Sequence, residues 1–339
     1  MKFIDVPDLV RLPYFEMNSN KKIVLKPQYK KHHIIDVHTH LGWSYLFAQK
    51  INLHARYEKT HYFFPETGNP FDISHYSAVD YEAQNAKKAR RETVRGLVNS
   101  KGFGKTHSIP NLVEEMDRMG IEQSVVLAID FPVASKNSEH IMSSIASHKE
   151  GKKRLISFIS LHPMERNKEK KLKRFISLGA KGIKLHPQIQ LFKPTHKGAY
   201  EIYELAKKYN VPILFHTGLS PLSPQWHRRY VEFSLFKTVC ADFPHNTFIL
   251  GHSGVLDYKE AMQLSHKYKH VYLELSGQPP QIIKEIIKVN GPEKLFFGSD
   301  WPYYPSVLPL AKVLLATEEM HGDVREAILG GNARRVLKI

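Results

Sequence analysis

The feature that most constrains this chain is a short apolar run that recurs eight times along its 339 residues. Each run ends in polar residues and is followed by a charged stretch with helical character. The runs are "HHIIDVHTH" (32–40), "QSVVLAID" (123–130), "RLISFISLHP" (154–163), "KGIKLHP" (181–187), "VPILFHTG" (211–218), "NTFILGHSG" (246–254), "HVYLELSG" (270–277) and "EKLFFGSDWP" (293–302). Continuous apolar runs that alternate with helices are typical of parallel strands covered by helices. Eight such units predict a (β/α)8 TIM barrel rather than an open sheet.

Two stretches fall outside this repeat and give the predicted division of the chain. Residues 1–32 are interpreted as an N-terminal leader, and residues 33–339 as the barrel. Within the barrel, residues 41–107 separate the first strand from its helix by far more than an ordinary loop. We expect a helix near residues 78–98 of this insertion. An insertion here lies on the face of a barrel where active sites are built, so it forms either a lid or pocket wall, or a decorative or dimer-forming element.

Composition narrows the classes of partner. A single cysteine, Cys240, excludes a disulfide framework and a cysteine-based zinc cage. Neither a signal peptide nor an apolar run of membrane-spanning length is visible, so we expect a cytoplasmic protein without a membrane partner. The net charge of +16 raises nucleic acid as a partner, but the basic residues lie in amphipathic helical patterns. Nucleic acid is therefore not expected, the charge favours an anionic small-molecule substrate, and a homodimer is left open.

Residues of metal-binding type stand at the ends of four of the eight runs. They are His38 and His40 on the first strand, His216 on the fifth, His252 on the sixth and Asp300 on the eighth. Residues two apart on a strand share one face, so His38 and His40 point the same way, together with Asp36. The carboxylate of Asp36 could contact one of the two imidazoles from below. Because the carboxyl ends of barrel strands meet at one mouth, the five end residues predict a shared metal site.

The motifs as an ordered set resemble a known family. "DVHTH" on the first strand, "GIKLHP" on the fourth, "FHTG" on the fifth, "GHSG" on the sixth, "GSDWP" on the eighth and the closing "ILGGNARRVLKI" resemble the amidohydrolase superfamily. The resemblance is to the amidohydrolase-related (amidohydrolase 2) branch, which includes the aminocarboxymuconate-semialdehyde decarboxylase-like enzymes, and it covers about residues 33–339. The residues that it assigns to a divalent metal are His38, His40, His216 and Asp300. It implies that His252 contacts the metal-bound water or the substrate.

Coordination chemistry agrees with this implied set. Three imidazoles and a carboxylate suit Zn²⁺, with Mn²⁺ or Fe²⁺ as alternatives. A catalytic metal lowers the pKa of a bound water, and Asp300 is then placed to take the proton of that water. His252 is placed to orient or polarise the electrophile.

Lys184 and His186 share a face at the end of the fourth strand, and their role stays open. In some branches of the superfamily the lysine on this strand is carboxylated and bridges two metals. Lys184 could instead pair with a substrate carboxylate or with Glu274 on the seventh strand. We expect one metal, with a second metal bridged by Lys184 as the alternative.

The predicted function is that of a metal-dependent hydrolase acting on a small amide, lactone or ester. A first alternative keeps the site and changes the reaction to non-oxidative decarboxylation of an acidic or aromatic substrate. A second alternative is an inactive barrel that binds a partner through its basic surface. No single residue of the sequence distinguishes hydrolysis from decarboxylation.

Overall fold

Eight parallel strands form the centre of the molecule. The computed structural model describes residues 1–42, 51–98, 102–131 and 135–339. The eight strands are β1 (Ile34–Thr39), β2 (Ile121–Leu127), β3 (Leu155–Ser160), β4 (Gly182–Leu185), β5 (Ile213–His216), β6 (Phe248–Gly251), β7 (Val271–Glu274) and β8 (Leu295–Phe296). They lie side by side in chain order, each parallel to the next. All eight coincide with the apolar runs of the sequence, and the predicted (β/α)8 barrel is confirmed.

The barrel closes between β1 and the segment that follows β8. The N–H of Val37 donates to the carbonyl of Phe297 over 3.0 Å, and the N–H of Asp300 donates to the carbonyl of His38 over 2.8 Å. The N–H of His40 donates in turn to the carbonyl of Trp301 over 2.8 Å. These backbone bonds continue the pairing with β1 beyond the end of β8, and they bring Asp300 next to the two histidines of β1.

Helices follow the strands along the chain and cover the sheet. Their bounds are Ala83–Val98, Ile109–Met119, Asn137–Ser147, Gly151–Arg154, Lys168–Ser177, Pro187–Gln190, Lys197–Tyr209, Phe233–Asp242, Tyr258–Lys267, Pro280–Asn290, Val307–Ala316, Gly322–Glu326 and Asn332–Leu337, with a π-helical stretch at Ala327–Gly331. Within the described ranges, every helix is too short or too polar to span a lipid bilayer.

Alternate residues of the strands pack into two separate apolar clusters. Ile213 and Phe215 of β5 belong to the large cluster shared with the helices, whereas Leu214 between them belongs to a second cluster. The second cluster contains Ile35, Val37, Val125, Leu127, Phe158, Leu214, Ile249, Phe296, Ala333 and Leu337. Because neighbouring strand residues face opposite sides of a sheet, this second cluster fills the inside of the barrel. Ala333 and Leu337 come from the last helix, which therefore closes one end of the barrel interior.

The leader and the insertion are joined to each other. Lys2–Phe3 pairs antiparallel with Phe71–Asp72 of the insertion, and the leader also forms a hairpin from Phe15–Met17 and Ile23–Leu25. Buried apolar side chains of the leader, such as Leu9, belong to the large core of the barrel.

The helix expected near residues 78–98 runs from Ala83 to Val98 and is preceded by a short turn at Ser77–Val79. Residues 43–50 and 99–101 of the insertion lie outside the described residues. The division into leader, barrel and insertion remains a prediction.

Candidate metal centre and active site

A cavity of about 570 Å³ opens at the carboxyl ends of the strands. Its floor is formed by His38, His40, Lys184, His186, His216, His252 and Asp300. All seven side chains are buried. Every residue proposed for the site from the sequence therefore lies at the bottom of one cavity, since the strands that carry them end at the same face of the barrel.

Three of these residues bring their ligand atoms together. Nε2 of His38 lies 3.5 Å from Oδ1 of Asp300, and Nε2 of His40 lies 3.6 Å from the same oxygen. The ligand atoms of the three residues all lie within 4.8 Å of one another, as a metal site requires. The Nδ1 atoms point away from this group: that of His38 donates to Glu274 over 2.7 Å, and that of His40 to the carbonyl of Leu127 over 2.9 Å. Such bonds fix the ring orientation of a metal-binding histidine.

His216 stands beside this group rather than in it. Its ring stacks on that of His186, with centroids 4.0 Å apart and an angle of 10° between the planes. Its Nε2 is buried and makes no hydrogen bond to any residue that the structure describes. A buried polar atom without a partner is unfavourable, and an imidazole nitrogen is a good ligand for a divalent metal. The buried Nε2 of His216 and the group of three together fit a metal, with His216 as the fourth ligand of the predicted set.

Burial controls the protonation of the floor. It lowers the pKa of His38, His216 and His252 well below the usual value, and that of His40 to about 3, with Lys184 contributing in each case. The imidazoles are thus neutral, which is the form that binds metals.

The pKa of the Asp300 carboxyl group shifts in the opposite direction to that of the imidazoles. Burial raises the pKa of Asp300 well above its usual range, the carboxylate of Glu274 adds to this rise, and Lys184 opposes it. A bound cation would reverse this balance and favour the ionised carboxylate.

Glu274 has a role in the site that the sequence interpretation did not include. It was considered there as a partner of Lys184, yet no ion pair within 4.0 Å joins the two across the described part of the chain. Instead its carboxylate accepts hydrogen bonds from Nδ1 of His38, from the N–H of His252 over 2.9 Å and from Oγ of Ser276 over 3.0 Å. Nδ1 of His252 also lies 2.8 Å from Oγ of Ser276. Glu274 therefore links the two histidines; the only signal in the sequence was an acidic residue inside an apolar strand.

Asp36 does not contact an imidazole ring. Its carboxylate accepts the N–H of His38 over 3.0 Å, the N–H of Ser299 over 2.9 Å and the hydroxyl of Ser299 over 2.5 Å. Burial raises the pKa of Asp36 to about 7. The role considered for Asp36 from the shared strand face was wrong: Glu274 supports the ring of His38, and Asp36 supports the closure of the barrel.

Lys184 is fully buried at the centre of the floor. Its Nζ lies 3.3 Å from Nε2 of His38. Burial lowers the pKa of this amine, while the carboxylates of Asp300 and Glu274 act in the opposite direction. An amine with a lowered pKa beside possible metal ligands is compatible with the two other roles considered for it from the sequence, a bridging ligand and a partner for a substrate carboxylate.

The upper part of the cavity is built partly by the insertion. Arg90 on the helix Ala83–Val98 donates from Nε to the carbonyl of Leu222 over 3.1 Å, and so connects the insertion to the segment after β5. Ala89 on the same helix belongs to a small apolar cluster separate from the main core. That cluster also includes Ile129, Phe131, Ile189, Leu222 and Tyr303 from the cavity wall.

Comparison with known proteins decides the family. The sequence profile of a family described as Amidohydrolase matches residues 35–339. The chain belongs to the amidohydrolase family. The resemblance to the amidohydrolase-related branch is thereby confirmed. The comparison with curated proteins gives no match.

Several solved structures share the amidohydrolase fold. A TIM-barrel protein from Bordetella bronchiseptica aligns with a TM-score of 0.62 at 19% identity, over 90% of this chain and 98% of the other. A probable 2-pyrone-4,6-dicarboxylic acid hydrolase from Acinetobacter baumannii aligns with a TM-score of 0.54 at 13% identity, over 91% and 100%. The 5-carboxyvanillate decarboxylase of Sphingomonas paucimobilis aligns with a TM-score of 0.54 at 14% identity, over 73% and 90%. At these identities the likeness establishes the fold alone.

Proposed function

We propose that this amidohydrolase-family chain is a metal-dependent hydrolase of a small amide, lactone or ester. The observation that carries the proposal is the convergence of Nε2 of His38 and Nε2 of His40 on the carboxylate of Asp300 in a buried cavity. His216, with its buried and unpartnered Nε2, would complete the ligand set. Three imidazoles and a carboxylate suit Zn²⁺, with Mn²⁺ or Fe²⁺ as alternatives. When bound, such a metal polarises a carbonyl and makes water acidic enough to react near neutral pH.

The residues of the chain would divide the remaining work. Asp300 accepts a proton from the attacking water at its carboxylate and returns that proton to the leaving group. His252, held by Ser276 at Nδ1, offers its Nε2 to the substrate and orients the reacting carbonyl. Glu274 fixes the ring of His38 through Nδ1 and so keeps Nε2 directed at Asp300.

Decarboxylation of an acidic or aromatic substrate is the second candidate. It is favoured by the decarboxylases among the similar structures, one of them the 5-carboxyvanillate decarboxylase of Novosphingobium aromaticivorans in complex with manganese. The same floor would bind a substrate carboxylate in place of a carbonyl. The product separates the two candidates, because hydrolysis gives a cleaved or ring-opened acid and decarboxylation gives carbon dioxide.

The first test is elemental analysis of purified protein, wild type against His38→Ala/His40→Ala. We expect about one Zn, Mn or Fe per chain in the wild type and none in the variant, since two of the ligand nitrogens are removed. The control is His245→Ala/His321→Ala, which removes two exposed histidines and leaves the metal in place. Two metals per chain would promote Lys184 to a bridging ligand. No metal in the wild type, even after reconstitution, would overturn the proposal in favour of a partner-binding barrel.

The second test is Asp300→Asn. Asp300 adopts a left-handed backbone with φ of +57°, which asparagine tolerates, so the fold is expected to survive. We expect turnover to fall by about 10²- to 10⁴-fold, the usual contribution of a positioned acid or base. A variant that keeps its metal and its full turnover would remove Asp300 from the mechanism.

A further inference from the structure

The part of the cavity above the proposed metal ligands also restricts the chemical class of the substrate. Resting on the proposed metal-dependent activity, we propose that the substrate is a monocarboxylic acid, or a derivative of one, that carries a bulky uncharged apolar body. The reacting group lies on the floor, and the apolar body fills the upper cavity. A small di- or tricarboxylate is excluded by the same surface.

Charge is concentrated at the bottom of the cavity. Lys184, Asp300 and the five histidines of the barrel strand ends are on the floor, whereas most side chains above them are apolar; the polar exceptions include Gln188, Ser220, Ser223 and His227. The wall residues that decide this are Phe131, Ile189, Leu191, Leu222, Val255 and Tyr303. Phe131, Ile189, Leu222 and Tyr303 are only partly buried, although all four pack against the small buried cluster that contains Ala89 and Ile129. Part of the apolar surface of the wall therefore remains in contact with water, and its burial by a ligand is favourable.

The mouth continues the apolar character of the wall. Val94 is 61% exposed, Leu191 48% and Trp226 52%, and all three line the cavity. Among the described lining residues, Arg90 and Lys184 are the only lysine or arginine side chains; Arg90 is at the exposed rim, and burial lowers the pKa of His227, the lining histidine above the floor. A second carboxylate at the height of the wall would therefore have no buried cationic partner, since Arg90 is exposed to solvent, and a buried charge without such a partner is strongly unfavourable.

The size of the cavity fits a substantial apolar body. A volume of about 570 Å³ lies within the range of about 300–1,000 Å³ that holds ligands of drug size. Full burial of one methylene group improves affinity about fourfold, and burial against one side improves it about twofold. Affinity should therefore rise steeply with the length of an apolar chain.

The test is calorimetric titration with acetate, butyrate, hexanoate, octanoate and the six-carbon diacid adipate. It is carried out on protein loaded with Mn²⁺ and again after removal of the metal with a chelator. We expect the dissociation constant to fall about two- to fourfold for each methylene from butyrate to octanoate, and adipate to bind at least tenfold more weakly than hexanoate. Dissociation constants independent of chain length, or adipate tighter than hexanoate, would overturn the proposal.

The two preparations separate this proposal from the function on which it rests. Loss of the metal should weaken all the acids by a common factor, because the head group loses its partner, while the dependence on chain length remains. If the metal has no effect but the chain-length dependence is present, the proposed function fails and the apolar wall stands. If the metal strengthens all the acids equally and chain length does not matter, the apolar wall fails alone.

A pair of matched substitutions locates the effect. Leu222→Asp places a charge on the wall and should reduce the gain for each methylene to less than about 1.5-fold. Leu178→Asp makes the same change at a residue 60% exposed before β4, at the opposite end of the barrel, and should leave the series unchanged. An unchanged series in folded Leu222→Asp would show that the acids bind elsewhere. The wild-type series decides the proposal if that variant does not fold.

Discussion

Two buried lysines in this protein have opposite surroundings. Lys184 on the cavity floor and Lys312 on the helix Val307–Ala316 are both almost completely inaccessible to solvent. The acceptors of Nζ of Lys312 are the carbonyl of His75 at 2.7 Å, Oγ of Ser77 at 2.7 Å and the carbonyl of Gly277 at 3.0 Å. Nζ of Lys184 has, among the described residues, one neighbour within hydrogen-bond range, Nε2 of His38. One ammonium has three oxygen acceptors, and the other faces an imidazole.

We interpret the difference as that between a lysine with a structural role and one that is available to a ligand. Each of the three donors of Lys312 has an oxygen, so the side chain binds the insertion to the end of β7 and leaves nothing for a ligand. Lys184 is also removed from water, but its amine has fewer hydrogen-bond partners than that of Lys312. Buried ionisable groups with perturbed surroundings of this kind concentrate at sites that bind a substrate or a metal.

Replacing the structural lysine should give the largest effect. Lys312→Met leaves three oxygen acceptors without a donor, and each buried unsatisfied group costs about 1–3 kcal/mol. Allowing for partial relaxation, we expect the free energy of unfolding to fall by about 2–4 kcal/mol in chemical denaturation at pH 7. Lys288→Met, at an exposed position, is the control and should change it by less than about 0.5 kcal/mol. A Lys312→Met variant as stable as the wild type would remove the structural role.

The second-largest effect is expected for Glu274, whose carboxylate accepts a hydrogen bond from the ring of His38. Glu274→Gln removes the charged acceptor of His38, and loss of such an outer partner typically lowers metal affinity about 10- to 100-fold. Competition with a metal-chelating dye measures this directly, without a substrate. Glu260→Gln, at an exposed helix position, serves as the matched control. Metal affinity equal in Glu274→Gln and in the wild type would mean that the ring of His38 needs no support.

The floor lysine should respond in the opposite sense to Lys312. Replacing a buried charged group by an apolar one of similar volume is often neutral or stabilising, so Lys184→Met should raise the unfolding free energy of the metal-free protein by about 0–2 kcal/mol. The metal content should stay at about one per chain, because we propose that Lys184 is not a bridging ligand. A fall from two metals to one would show that Lys184 is a bridging ligand. Destabilisation equal to that of Lys312→Met would show that Lys184 has a structural role, as Lys312 does.

A pH series gives the smallest and most specific effect. Burial lowers the pKa of Lys312 to about 7, and Asp80 and Asp72 oppose this shift. The unfolded chain, with an ordinary lysine pKa near 10.4, binds more protons than the folded chain between about pH 7 and 10, so the stability contributed by this group rises with pH in that window. The three oxygens favour the ammonium and reduce the rise, so we expect about 1 kcal/mol between pH 7 and 9.

The pH measurement is the difference in unfolding free energy between wild type and Lys312→Met at each pH. Taking the difference removes the titration of every other group that the two proteins share. A difference that stays flat, or that shrinks as the pH rises, would contradict the lowered pKa.

Much of this molecule could be predicted from the sequence. The barrel strands are buried on both faces, so each one appears as an unbroken apolar run that a single sequence displays directly. The residues of the floor could also be found, because His216, His252 and Asp300 come directly after such runs and barrel geometry brings strand ends together. Neither the charges of these residues nor their hydrogen bonds were needed for that prediction.

The rest depends on contacts between distant parts of the chain. Glu274 and Asp36 are both acidic residues on barrel strands, and only the positions of Nδ1 of His38 and of Ser299 distinguish their roles. The insertion helix begins at Ala83 rather than near residue 78, and the turn before it contains Ser77, whose hydroxyl accepts a hydrogen bond from Lys312. The sequence could not reveal that contact, since 235 residues separate the two positions.

The pairing of Lys2–Phe3 with Phe71–Asp72 has a consequence for the exchange of parts between relatives. Transplanting active-site loops is a common route to new specificity in barrel enzymes, because loops vary while the scaffold persists. In this chain residues 41–107 would arrive in a foreign barrel without the strand that pairs with them, and without the carbonyl of Glu66 receiving the N–H of Val6. A functional chimera is therefore expected to need residues 1–32 and 41–107 together, as one structural unit formed by two separate parts of the sequence.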